Sequence, residues 1–243
     1  MADSGKQATP FTRAGFWRGF WRAQAFTIGI FVYGVAFGLI GAQAHLTITQ
    51  ALSMSVAIYS GTAQLAAIGV LTSSHGPALA VAWALFATLV VINARYVLFS
   101  ATLRPWLSGV SPLQAYGTLF FLGDGSWLIS MKAHEEGEQD AAFVLGASIG
   151  PFLSWMIGTY IGCIAIGFAP DPKKLGLDFF LVAFAAAMMV GMIRGRSDFA
   201  VMLVAAVVAV GVVQIASFGT AVVAAGLAGG IVAFIRAGRE AAA

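Results

Sequence analysis

Eight apolar runs divide this chain, at residues 24–43, 51–71, 77–103, 116–131, 141–169, 179–193, 199–215 and 218–235. Turn-forming residues separate them, among them Ser73-Ser74-His75-Gly76-Pro77, Pro105, Ser111-Pro112, Pro170-Asp171-Pro172 and Arg194-Gly195-Arg196. A bilayer needs about 20 apolar residues per helix, so the pattern predicts an all-α, polytopic transmembrane helix bundle of about seven to eight spans. Three polar blocks interrupt it. Ser60-Gly61-Thr62-Ala63-Gln64 sits in the second run, Asn93-Ala94-Arg95-Tyr96 in the third and Gly123-Asp124-Gly125-Ser126 in the fourth. In hydrocarbon such groups cost several kcal/mol unless they are paired or line a wet cavity.

The blocks define the candidate site. Ser60, Thr62 and Gln64 surround a helix-loosening Gly61, which predicts a broken second helix whose open backbone groups can hold the ammonium and carboxylate of an amino acid. A plain glycine kink with Ser and Thr bonded back to their own helix fits the same residues. Arg95 lies about eight residues from the end of its run and Asp124 about eight from the start of the next, which at about 1.5 Å per residue matches their depth. The two therefore pair, either as a static staple or as a gate and substrate contact. Asn93 is read as an interhelical hydrogen bonder, and Ser126 extends the polar theme of Gly123–Gly125.

Composition narrows the class. The 243 residues are 60% hydrophobic and 9% charged, against roughly 25% charged in soluble domains. Residues 1–23 read as a polar, basic-aromatic interfacial lead-in, 24–236 as one transmembrane domain and 237–243 as a short tail. The basic residues are scattered through loops and ends, which argues against nucleic acid and for topology. With eight spans, Lys6, Arg13, Arg18, Arg22, Lys132, Arg194, Arg196, Arg236 and Arg239 fall on the cytoplasmic side together with both termini. A re-entrant 51–71 would invert the later loops.

Other chemistry finds little support. His45, His75 and His134 fall in predicted loops, so no metal site or intramembrane proton relay is expected. Ser60 and Ser126 have no histidine at their depth for hydrolysis, and Cys163 has no partner. No phosphate-binding Gly-Lys-Ser/Thr loop is present, so the chain is not read as an enzyme or an ATPase and needs no cofactor. Gly34-xxx-Gly38 and Gly158-xxx-Gly162 have the spacing for close helix packing. Gly29, Gly34 and Gly38 before 51–60 are echoed by Gly158, Gly162 and Gly167 before 179–190, as an internal repeat or a compositional echo.

At these motifs the chain resembles the AzlC family, the large subunit of bacterial branched-chain amino acid exporters. The carriers are Gly34-Val35-Ala36-Phe37-Gly38, Ser60-Gly61-Thr62-Ala63-Gln64 (similar to the family's Ala-Gly-Ser-Ala-Gln) and Asn93-Ala94-Arg95-Tyr96 (similar to Leu-Asn-Ala-Arg-His), within Ala25 to Arg196. The resemblance implies export of Leu, Ile or Val across the bacterial inner membrane, with an AzlD-type small membrane subunit as partner. The family's Thr-Asp-Glu stands here as Gly123-Asp124-Gly125, and its His after Asn-Ala-Arg is Tyr96. The competing class is a passive channel or a non-transporting scaffold for a small partner. A channel calls for polar residues at several depths, whereas these cluster near mid-depth.

Overall fold

The computed structural model describes residues 10–73, 76–167, 193, 195–215 and 218–240. Every regular element among them is a helix. The helices are α1 (Arg13–Arg22), α2 (Gln24–Gln43), α3 (Ile48–Ile58), α4 (Gly61–Ser73), α5 (Ala78–Asn93) and α6 (Arg95–Leu107). They continue with α7 (Pro112–Phe120), α8 (Asp124–Glu135), α9 (Ala142–Ala165), α10 (Arg196–Val213) and α11 (Phe218–Glu240). Three stretches are long and apolar enough to cross a membrane: Gln24–Gln43, Ala78–Leu107 and Ala142–Ala165. The run at 179–193 lies outside the described residues but for its last position, and with it the 179–190 part of the proposed repeat.

Local chemistry sets the ends of these helices. Thr47 with Gln50 and Ser111 with Gln114 form reciprocal capping boxes that start α3 and α7, and Pro112 occupies the first position of α7. After α2 the chain reverses at His45 (φ 62°), with Leu46 N–H bonded to the Gly41 carbonyl. The predicted break in the second run falls at Tyr59 (φ 31°, ψ 52°). The left-handed region is costly for a bulky side chain, so the break is built by strain at Tyr59 as well as by Gly61. The fourth run is also broken: α7 stops at Phe120 and α8 starts at Asp124. The sequence pattern read it as one short span.

The chain divides into two compact units, residues 1–65 with 95–184, and 66–94 with 185–243. The first is built on α9, along which α1 and α2 run in parallel. A Cβ at Gly19 would lie 2.1 Å from the Phe143 carbonyl oxygen, one at Gly34 2.8 Å from that of Trp155 and one at Gly38 2.2 Å from that of Thr159. The reverse also holds. A Cβ at Gly158 would meet the Phe31 carbonyl oxygen at 2.4 Å and one at Gly162 that of Val35 at 2.1 Å. The two small-xxx-small motifs therefore pack against each other, backbone to backbone, across a local pseudo-twofold. This is intramolecular packing, one of the two roles such spacing can serve.

The lead-in α1 is tied to the chain before α9. Asp140 accepts from Thr12 N–H (3.1 Å) and from the Thr12 hydroxyl, and Ala141 N–H reaches the Pro10 carbonyl at 2.9 Å. Arg18 donates to both carboxylate oxygens of Glu138 at 2.8 and 2.9 Å, and Arg22 pairs with Glu136. The Arg18 hydrogen bonds hold the Glu138 carboxyl below the usual carboxylate range. His134, expected in a loop, lies in the last turn of α8. The helix ends at Glu135, and Gly137 (φ 98°) two residues on is the left-handed stop, where Glu138 N–H bonds the Ala133 carbonyl. In the second unit α10 and α11 pack along each other and α11 touches α5. There Trp83, Phe86, Phe199 and Phe234 are exposed, as expected of a surface meeting lipid.

Candidate functional site

Two breaks of helical backbone, α3/α4 and α7/α8, meet the start of α6 in the first unit. At each of the two breaks one helix stops and another starts, so the last carbonyls of the first and the first N–H groups of the second have no partner within their own helix. The first helical bonds of α4 and α8 come from Gln64 N–H to Ser60 and Trp127 N–H to Gly123, leaving the preceding N–H groups free of intrahelical partners. Asp124 opens α8, where the positive helix end favours a carboxylate. Ser126 steadies that start, since its hydroxyl accepts from Gly123 N–H (2.9 Å) and donates to the Gly123 carbonyl (3.0 Å).

Arg95 joins all three. Its Nη2 donates to Asp124 Oδ2 at 2.9 Å, Ser60 Oγ at 3.2 Å and Thr62 Oγ1 at 3.1 Å. Its Nε lies 2.8 Å from Asp124 Oδ1, but the N–H points off that oxygen, so this second contact is one of charge only. The guanidinium sits 5.3 Å from the ring centre of Tyr96, whose hydroxyl is 3.5 Å from the Tyr59 carbonyl. The pairing foreseen from matched depth is thus present. It is not sealed: the Arg95 and Asp124 side chains keep 29% and 38% of their exposure, and Thr62 is exposed.

Other candidate residues take different places. A Cβ at Gly61 would lie 2.9 Å from the Trp155 ring and 3.0 Å from that of Tyr33, so the position is filled by aromatic edges. Gln64 turns away from Arg95. It is fully buried and donates to Ser55 Oγ at 3.0 Å, in a cluster where Trp155 Nε1 donates to the same oxygen (3.1 Å) and Thr159 Oγ1 lies 3.4 Å away. Gln64 Oε1 has no hydrogen-bond partner. Sequence reasoning missed Ser55, Trp155 and Thr159, because contacts across about a hundred residues leave no local signal. Asn93 ends α5 in the second unit, its Oδ1 buried without a partner. At Gly125 a Cβ would fall 1.9 Å from the Phe26 ring, so the space beside Asp124 is filled by hydrocarbon.

A reachable ion pair between helix breaks, inside apolar helices, defines a helical membrane protein with a polar centre. The chain matches the family model described as AzlC protein over residues 25–169, more than half its length, and belongs to the AzlC family. That family is associated with branched-chain amino acid transport. The matched segment contains both breaks and the start of α6, and ends before α10 and α11. No curated protein and no solved structure matches the chain.

Proposed function

We propose that this chain is the substrate-carrying subunit of a secondary exporter of small apolar amino acids, Leu, Ile and Val foremost, in the bacterial inner membrane with an AzlD-type small subunit. The observation that carries this reading is the open Arg95–Asp124 pair set among helix breaks. A zwitterion matches it charge for charge. Its carboxylate takes the place of Asp124 on Arg95, aided by Ser60, Thr62 and the first N–H groups of α4; its ammonium takes the place of Arg95 on Asp124. No bare charge remains in the membrane after the exchange, whereas an ion of one sign would leave one. The C-terminal carbonyls of α3 and α7 suit the ammonium, as broken helices do in other transporters.

Eight spans with a cytoplasmic N-terminus fit the same frame. Because α1 is bonded to residues 136–140 and α2 runs parallel to α9, an even number of crossings separates them. Runs 24–43, 51–71, 77–103 and 116–131 supply four; a re-entrant 51–71 alone would leave three. Reporter fusions after Lys6, within Glu135–Gln139 and after Arg239 should read cytoplasm, and one at Leu46–Ile48 the far side. A periplasmic reading at Glu135 overturns the topology.

The functional test is counterflow of labelled leucine, against a panel of amino acids, in vesicles with and without the small subunit. Saturable leucine counterflow that Arg95→Ala abolishes is the expected result. Non-saturable leak without counterflow would mean a channel, and no flux of any amino acid with both subunits present would mean a scaffold.

A further inference from the structure

Beside the ion pair lies a second space. A pocket of about 110 Å³ opens under the α3/α4 and α7/α8 breaks. Ile58, Leu119, Phe120 and Leu122 supply its apolar wall, Tyr59 and Tyr96 are shared with the charged centre, and Ser100 completes it. Two of its polar groups have partners: Ser100 Oγ donates to the Tyr96 carbonyl at 2.7 Å, and Tyr96 Oη lies 3.5 Å from the Tyr59 carbonyl. The lining is thus mixed, an apolar wall facing the hydroxyl-bearing side of Tyr59, Tyr96 and Ser100, and the pocket is partly open.

We propose that this pocket receives the substrate's side chain and that its size sets the upper limit of what is carried. The proposal rests on the amino-acid reading above and adds the residues that select among amino acids. An apolar cavity of about 150 Å³ holds the six carbons of benzene, about 25 Å³ per carbon. At 110 Å³ the pocket takes a branched side chain of three or four carbons and turns away a phenyl or indole ring. Tyr96 is the hinge of this arrangement, because one ring lies by the guanidinium and also borders the pocket. A substrate anchored at Arg95 and Asp124 thus has its side chain directed past Tyr96, between Leu119 and Ile58. Leu119 and Ser100 become the specificity-determining residues. Neither touches Arg95 or Asp124 through any hydrogen bond, so changing them alters fit and leaves the charge exchange in place.

Counterflow of labelled leucine, alanine and phenylalanine, with the small subunit present, tests the assignment. Ligand-induced thermal shifts of the purified protein give a second readout that needs no transport. The wild type should favour leucine over alanine and over phenylalanine by roughly tenfold or more in each case. Leu119→Ala enlarges the pocket and should cut the leucine-to-phenylalanine ratio at least fivefold, chiefly through gained phenylalanine. Ser100→Phe fills it and should cut the leucine-to-alanine ratio at least fivefold. Unchanged ratios in both variants, at matched membrane abundance, with leucine still carried, overturn the pocket while leaving the transport reading intact. A wild type that neither carries nor binds any amino acid overturns both.

Discussion

The seam between α2 and α9 and the junction around Arg95 lie in one unit and put small residues to opposite uses. Along the seam, Gly34, Gly38, Gly158 and Gly162 remove side chains so that backbone meets backbone, and no room is left. At the junction, Gly61, Gly123 and a strained Tyr59 end helices early, so backbone groups and an ion pair face a reachable space. One region gains from van der Waals contact, the main glue where lipid and side chains are equally apolar. The other gives up helical hydrogen bonds to keep polar groups available. Rigidity sits beside access, and α9 carries the first while Trp155 on the same helix borders the second.

Mutations at the seam should have the largest effect. Gly38→Val and Gly162→Val each drive a side chain into backbone about 2 Å away, an overpacking at or beyond the upper end of the usual ~1–3 kcal/mol. Both should lose folded protein in the membrane, read as abundance and thermal stability in detergent. Gly117→Ala in α7, where a Cβ meets nothing within 4 Å, should be neutral or slightly stabilising. If Gly38→Val folds normally, the seam is not what holds the unit together.

Next come the charges. Arg95→Ala and Asp124→Ala should each lower abundance, by less than the about 3–5 kcal/mol of a fully sealed pair, because both side chains are partly exposed. The double variant should recover abundance and still carry no substrate. A double variant that transports reduces the pair to a staple and removes the contrast with the seam. Gln64→Ala should cost about 1–3 kcal/mol of stability, since it takes one of two donors from the buried Ser55 hydroxyl, which Trp155 also bonds, with a smaller change in substrate affinity. A tenfold affinity loss at unchanged stability would move Gln64 into the substrate site.

The smallest effect belongs to the exposed latch of α1. Glu138 is held below its usual pKa by Arg18, so this stabilisation is complete above the ordinary glutamate value of about 4.3 and fades as pH falls through the lowered one. Arg18 is half exposed, which limits the contribution to about 0–1 kcal/mol. Glu138→Gln should flatten the acid limb of the stability profile below about pH 4.3. An identical acid limb in the variant would show that Asp140 and Glu136 hold α1 without it.

The sequence carried the Arg95–Asp124 encounter because depth in a membrane can be counted along helices. It also carried the break near Gly61, although the strained residue is Tyr59, which composition does not mark. The α7/α8 break was missed because 116–131 is apolar enough to read as one span; Gly123 followed three residues later by Ser126 was the available sign of a new helix start. Gly137 likewise marked the true end of α8 beyond His134. That the two glycine motifs face each other was not legible, since spacing says a helix can be approached closely and not by which neighbour.

The bond from Arg18 to Glu138 spans 120 residues, and this fixes an order of events during synthesis. At about 5–20 residues per second, roughly 6–24 s separate the appearance of the first partner from that of the second. Throughout that interval α1 and the glycine face of α2 have no α9 to lie against, and the nascent chain must keep a notch of bare backbone open in the bilayer. The parallel helix that fills it arrives fifth among the runs, so α1 and α2 are made well before the contacts that finish them.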